Sequence, residues 1–315
     1  MPKKISLALG GGGIKGYAHI GVLRRLILEG YEISAIAGTS AGGIVGSLYA
    51  KGYSPDEIED FIDDFDPRHL FKSQPGDSPA LLGLGGLYEL LKEKLGDSTF
   101  EHLKIPFACT AMDLITGNEI IIETGKLIDA VQATTAIPGL FPYKRIGKHR
   151  LVDGGVIDPV PVTISRWLAP DLPLIAVCLT PIQEKWGYSR HMSIPSFVPI
   201  PKVIVDRVSN LRVSQAARVL LDSLDIMTNM IAELRLRLEK PDLIIRPEIT
   251  QYALFDEVEP EHLILRGEEI VVKMRNQIET IFTTSKRIKR WLRPTTPPAV
   301  LLSQLLKEDS ASLQK

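Results

Sequence analysis

Cysteine is nearly missing from this chain. Only Cys109 and Cys178 occur in 315 residues, each inside an apolar run that reads as a buried strand. A disulfide framework or a cysteine-based metal site is therefore not expected, and both thiols are read as reduced. An excess of either charge is missing too, since Lys and Arg total 37 against 38 Asp and Glu. No global field then favours nucleic acid, and a charged partner has to be met locally. No uncharged stretch approaches the roughly 18 apolar residues that cross a bilayer, so membrane contact is expected only at the periphery. The apolar run behind Met1-Pro2-Lys3-Lys4 is cut at Gly10, too early for the core of a secretion signal. The expectation is a cytoplasmic protein, at most peripheral at the inner face of the membrane. No internal repeat is apparent.

What is present is apolar material in quantity, 44% of the residues, enough for one large domain or for a domain with a substantial extension. Ile5 to Leu9 reads as a short strand that Gly10 to Gly13 must end. Beyond Gly16, the spacing of Ile20, Leu23, Leu26 and Ile27 predicts a helix that stops at Gly30. Ile33 to Ala37 reads as a second strand, followed at once by Gly38-Thr39-Ser40-Ala41-Gly42 and another helix. Strand, helix, strand, helix implies an α/β fold with a parallel, doubly wound sheet. Ser54-Pro55-Asp56-Glu57 carries the cap, proline and acids of a helix start. Strands are read at 105–112, 119–123, 150–152, 174–179 and 243–246. Helices are read at 87–95, 127–135, 208–238 and 260–281.

Two glycine-rich turns carry the chemistry. Gly11-Gly12-Gly13-Ile14-Lys15-Gly16 formally matches a dinucleotide loop, but the second strand ends in Ala37-Gly38 and offers no acid for a ribose. It also fails as a phosphate loop, because Lys15 stands one place early and Gly16 follows it. The remaining readings are an oxyanion hole of adjacent N–H groups at a helix start, with Lys15 as an anion contact, or a turn that only packs closely. Gly38-Thr39-Ser40-Ala41-Gly42 has the G-x-S-x-G form, in which small neighbours tolerate a strained elbow that exposes the serine. A plain helix cap at Ser40 would not need glycines around it. A base for Ser40 is sought in Asp153, followed by Gly154 and Gly155, or in a triad of Ser40 and Asp153 with His191 or His262. Burial raises a carboxylate's basicity, so a Ser–Asp dyad is chemically sufficient. Asp158, before Pro159, reads as a turn residue.

Gly11 to Gly16, Gly38 to Gly42 and Asp153-Gly154-Gly155, in that order, resemble the three signatures of the patatin-like phospholipases, in particular the bacterial group. Ala133 to Pro142 is similar to a block that family carries between its serine and aspartate, and Met112 to Gly117 resembles another of its turns. The resemblance covers roughly Ile5 to Thr180. It implies a three-layer α/β fold with a mostly parallel central sheet between helices. It also implies Ser40 as nucleophile, Asp153 as base, and Gly11, Gly12 and Gly13 as oxyanion hole. The implied reaction is hydrolysis of lipid acyl esters, phospholipid or lysophospholipid, through an acyl-enzyme, with neither metal nor organic cofactor. A silent lipid-sensing module on the same fold is the alternative. The family often has arginine where Lys15 stands, and lysine lacks that forked geometry.

Residues 1–183 are thus expected to form the catalytic core, 184–206 a lid or membrane-touching segment, 207–283 a mainly helical part, and 284–315 a basic, then polar tail. Lys185 to Val205 contains no acid but has Trp186, Tyr188, Phe197 and three cations. That suits an anionic lipid interface, and equally a proline-rich cover on the core. Ile281, Ile288, Trp291 and Leu292 share a helical face among Lys286, Arg287, Lys289, Arg290 and Arg293. A membrane surface and a solvated basic helix end are even readings of that tail.

Overall fold

A computed structural model of the chain describes residues 2–63, 71–182, 212–254, 256, 258–283, 290 and 297–312. The β-rich run Lys3–Leu9 forms strand β1, which pairs in parallel with β2 (Tyr31–Gly38) from Lys3 opposite Tyr31 to Leu9 opposite Gly38. Helix α1 (Tyr17–Leu28) makes the crossover. Because the two strands run the same way and finish opposite each other, the glycine turn after Leu9 and the serine turn after Gly38 emerge side by side at one sheet edge. That is where an open α/β sheet places its ligands.

Helices α2 (Ala41–Lys51), α3 (Pro55–Asp63) and α4 (Gly85–Leu95) follow. β3 (Phe107–Asp113) lies parallel beside β2, and β4 (Glu119–Ile122) turns back along it. After α5 (Leu127–Thr134), the hairpin of β5 (Lys144–Ile146) and β6 (His149–Asp153) joins β3 through β6, antiparallel. α6 (Val162–Leu168) leads to β7 (Leu174–Val177), which is parallel to β1 on its free side. α7 (Arg212–Glu239) leads to β8 (Leu243–Ile245), and the order across the sheet is β5-β6-β3-β2-β1-β7-β8.

The period of two along β1 sorts its side chains between two helical layers. Ile5, Leu7 and Leu9 join the large core built by α1, α2, α4 and α5. Ala8, on the opposite face, packs with Val160, Val162, Ala176 and Leu236 of the α6 and α7 side. The small residues Ala37 and Ala108 on that same face let Ile164 of α6 come close. The expected mostly parallel sheet between helices is therefore present, followed by α8 (Pro260–Lys273) and α9 (Arg275–Thr280). Among the described residues, no helix is long and apolar enough to cross a membrane.

Several elements differ from the sequence expectation. α6, seven residues long, is too short to show a helical period. The helix expected over 260–281 is two helices that meet at Met274. The tail is not simply polar. β9 (Val300–Leu301) pairs with Ile120 and Ile121 of β4, and α10 (Leu302–Ser312) starts with the Leu302 and Ser303 amides on the Glu123 carboxylate. Arg290 is buried, 3.6 Å from Asp242, and donates to the Ile281 carbonyl, so it is no surface cation. The expected lid at 184–206, His191 and the rest of the basic stretch, at 286, 287, 289 and 293, lie outside the described residues.

α8 crosses α1 backbone to backbone. A Cβ at Gly267 would stand 2.1 Å from the Ala18 carbonyl oxygen, and one at Gly21 would stand 1.8 Å from that of Ile264. Alanine is ordinarily better than glycine inside a helix by up to ~1 kcal/mol. Backbone cannot yield as a side-chain tip can, so overpacking wins here. Gly267→Ala should destabilise the protein by about 2 kcal/mol in urea unfolding, and a gain in stability would contradict the close crossing.

Candidate active site

Ser40 sits between β2 and α2 with φ 53° and ψ −120°. Among the described residues, only Lys240 is another non-glycine with positive φ. Such a conformation persists only where the surroundings over-determine it. Here the Thr39 amide donates to Leu9 O at 3.0 Å, and the Thr39 hydroxyl donates to Asp158 O at 2.8 Å. The Ser40 amide donates to Thr134 Oγ1 at 2.9 Å, while its carbonyl accepts from Gly43 and Ile44 of α2. Gly42 is required for contact, since a Cβ there would lie 2.1 Å from Leu9 O. The Ser40 hydroxyl makes no cap bond to α2. It lies instead near the Asp153 carboxyl, where it acts to lower that carboxyl's pKa.

Asp153 ends β6 and caps the turn Gly154–Val156, its Oδ1 accepting the Gly155 amide at 2.7 Å. Only 4% of it is exposed. Burial pushes its carboxyl up to about 6, against the opposing effects of Ser40 and Gly155. Such a group is charged at neutral pH yet more basic than an ordinary carboxylate.

The glycine loop supplies fewer free donors than expected. Gly11 gives its amide to Pro159 O at 3.0 Å, which removes it from the oxyanion set. Its α-carbon still borders the site, since a Cβ there would be 3.3 Å from Ser40 Cβ. The amides of Gly12 and Gly13 have no partner among the described residues, and neither has that of Ala41, the first residue of α2. Three open N–H groups thus lie on the two segments that flank Ser40. Lys15 is buried in the turn that follows and makes no ion pair among the described residues. Burial lowers its pKa, opposed by Asp225, Cys178 and Asp256.

Among the described residues, no histidine is hydrogen-bonded to Ser40 or Asp153. His262 is exposed in the first turn of α8. His149 is buried on Asp113, its Nδ1 2.9 Å from Oδ2. His19, which sequence reasoning passes over, is fully buried and its pKa is pushed down to about 4 by that burial. It is therefore neutral, and its Nε2–H donates to the Gly10 carbonyl at 2.7 Å, anchoring the glycine loop. Thr134 was also missed. Its signal is a small hydroxyl residue at the end of α5, within the stretch Ala133 to Pro142.

With this geometry in view, the model of the family described as patatin-like phospholipase matches residues 7–165, half of the chain. The chain belongs to that family. An uncharacterized NTE family protein of Mycobacterium tuberculosis is 35% identical over 178 residues, 56% of this chain and 49% of the relative. The lysophospholipase NTE1 of Saccharomyces cerevisiae is 29% identical over 167 residues, 51% of this chain and 10% of the yeast protein. The match thus spans about half, or much less, of the curated relatives' length. Among solved structures, VipD from Legionella pneumophila superposes with a TM-score of 0.51 at 13% identity, covering 89% of this chain and 67% of that one, a likeness of fold. In this patatin-like site, the matched segment contains the glycine turn, the serine turn and the Asp153 loop.

The raised carboxyl carries a stability consequence. Between pH ~4, where an unfolded aspartate ionises, and pH ~6, the folded chain keeps the Asp153 proton that the unfolded chain has lost, so stability falls as pH rises. That rise corresponds to about 3 kcal/mol. Asp153→Asn should make the decline shallower by this amount in denaturant titrations from pH 4 to 7. A parallel decline in the variant would contradict the burial.

Proposed function

We propose that this protein is a serine-dependent lipid acyl hydrolase acting on phospholipid or lysophospholipid esters through Ser40 and Asp153. The observation that carries this reading is the Ser40 hydroxyl against a buried carboxyl whose basicity is raised to about 6. As Ser40 Oγ attacks the acyl carbonyl, Asp153 takes its proton. Charge developing on the carbonyl oxygen meets the Gly12, Gly13 and Ala41 amides, each such donor being worth roughly 10²–10³ in rate. The ester bond breaks, the leaving alcohol takes the proton from Asp153, and the acyl group stays on Ser40. Water then attacks the acyl-enzyme with Asp153 as base, releasing fatty acid and restoring the serine.

A carboxylate works here because it is held near the serine and burial brings its pKa towards the operating pH. The yeast relative, a lysophospholipase by name, supports the substrate class. The buried Lys15 ammonium, next to the glycine turn, suits an anionic part of such a substrate.

Hydrolysis of lysophosphatidylcholine and labelling by a fluorophosphonate test the proposal. Ser40→Ala should abolish labelling, and Ser40→Ala or Asp153→Asn should lower kcat by at least ~10³-fold. In the wild type, kcat/KM should rise with pH through about 6 towards neutrality, because only the ionised Asp153 accepts a proton. Labelling that survives Ser40→Ala would overturn the proposal. Saturable lipid binding without turnover would replace it with a lipid-sensing role.

A further inference from the structure

The catalytic loops meet at one dipeptide, Asp158-Pro159. The Asp158 amide donates to Gly154 O at 2.7 Å, in the loop that carries Asp153. Its carbonyl accepts the Thr39 hydroxyl beside Ser40, and the Pro159 carbonyl accepts the Gly11 amide. Three hydrogen bonds to its backbone groups thus tie the base, the serine turn and the glycine loop to two consecutive residues. Whatever holds Asp158 holds the site.

Its side chain is completely buried in a cluster short of positive charge. Arg235 of α7 reaches in with its fork. Nη2 donates to Asp158 Oδ2 at 3.0 Å, and Nη1 donates to Glu119 Oε2 of β4 at 3.1 Å and to Ile157 O at 3.3 Å. Its Nε lies 2.7 Å from Glu239 Oε1 of the same helix. From α6, Arg166 donates to the carbonyl of Glu239. Three carboxyl groups therefore share one guanidinium, with Arg166 acting on Glu239 from the far side. Asp158 and Glu119 are thus bridged by the two Nη atoms of one arginine. Asp158 Oδ1 and Glu119 Oε1, both buried, have no donor. Two ionised carboxylates offer each other none, and buried acceptors left bare are costly. One proton between them satisfies both oxygens.

We propose that Asp158 is a protonated carboxyl sharing a single proton with Glu119, and that this acid pair, clamped by Arg235, is a positioning device for the catalytic loops. The inference rests on the hydrolase reading for its effect on rate, and on the cluster alone for the proton. Burial, then the charge of Glu119, pushes the Asp158 carboxyl well above the ordinary carboxylate range, in the same sense. Loss of the proton at high pH would set two facing carboxylates against one arginine and loosen Thr39, Gly154 and Gly11 together.

Asp158→Asn separates this from a merely structural aspartate, because the amide keeps the shape, supplies an N–H donor to Glu119 and does not titrate. It should retain kcat at neutral pH within about threefold and keep it at alkaline pH where the wild type declines. Asp158→Ala and Arg235→Met should lose at least tenfold in kcat with KM within twofold. Denaturant stability is read in parallel on a Ser40→Ala background without substrate, so a chain with no hydrolase activity still answers for the proton. There, the wild-type Asp158 should lose stability relative to Asn as pH rises above its ordinary carboxylate value. Parallel stability curves, or an Asp158→Asn protein as inactive as Asp158→Ala or unable to fold, would overturn the proposal.

Discussion

Ser40 is held in a backbone conformation that L-residues avoid, and contacts from four separate segments keep it there. Leu9 of β1 and Asp158 of the loop after β6 hold Thr39, Thr134 of α5 holds the Ser40 amide, and α2 begins on its carbonyl. Parallel pairing of β1 and β2 makes this convergence possible, because it ends both strands at one level. The same constraint brings the glycine turn against Ser40, with the Gly12 and Gly13 amides open. A site that depends on strain needs a rigid frame, and the doubly wound sheet with helices on both faces supplies one.

Around that turn, polar groups are arranged by burial. Asp153 is kept basic by desolvation rather than by a neighbouring charge, and His19 is kept neutral by the same means so that it donates to the glycine loop. Asp158 lies beneath these loops as an anchor, reached from α7 by Arg235 and from β4 by Glu119. The helix after the core thus bears directly on the loops proposed to carry the chemistry. An extension of this kind is part of the site's support and not a separate appendage.

The two turns are legible in the sequence because strained backbone and close approach demand particular residues at short spacing. Gly42 must be glycine where Leu9 O comes within 2.1 Å of its would-be Cβ, and that demand shows in five consecutive letters. The alternating sheet follows from equally local patterns. Arg235 and Asp158 are 77 positions apart, and Arg235 and Glu119 are 116 apart. Nothing local marks such ordinary residues on regular elements, so Asp158 reads as a turn residue until the fold buries it. The open-donor set is illegible for a related reason. Whether Gly11 is free depends on where the Pro159 carbonyl arrives, and that is decided by tertiary packing. The two-residue β9 is too short to show a period and exists only because β4 offers it an edge.

The central claim is that an acyl group passes through Ser40. Rapid mixing with a lysophospholipid, acid quenching and peptide mass spectrometry test it most directly. The account predicts a peptide containing Ser40 that is heavier by the substrate's acyl chain, and the disappearance of that adduct in Ser40→Ala. Turnover of the lipid without any adduct, or an adduct on another residue, would contradict it.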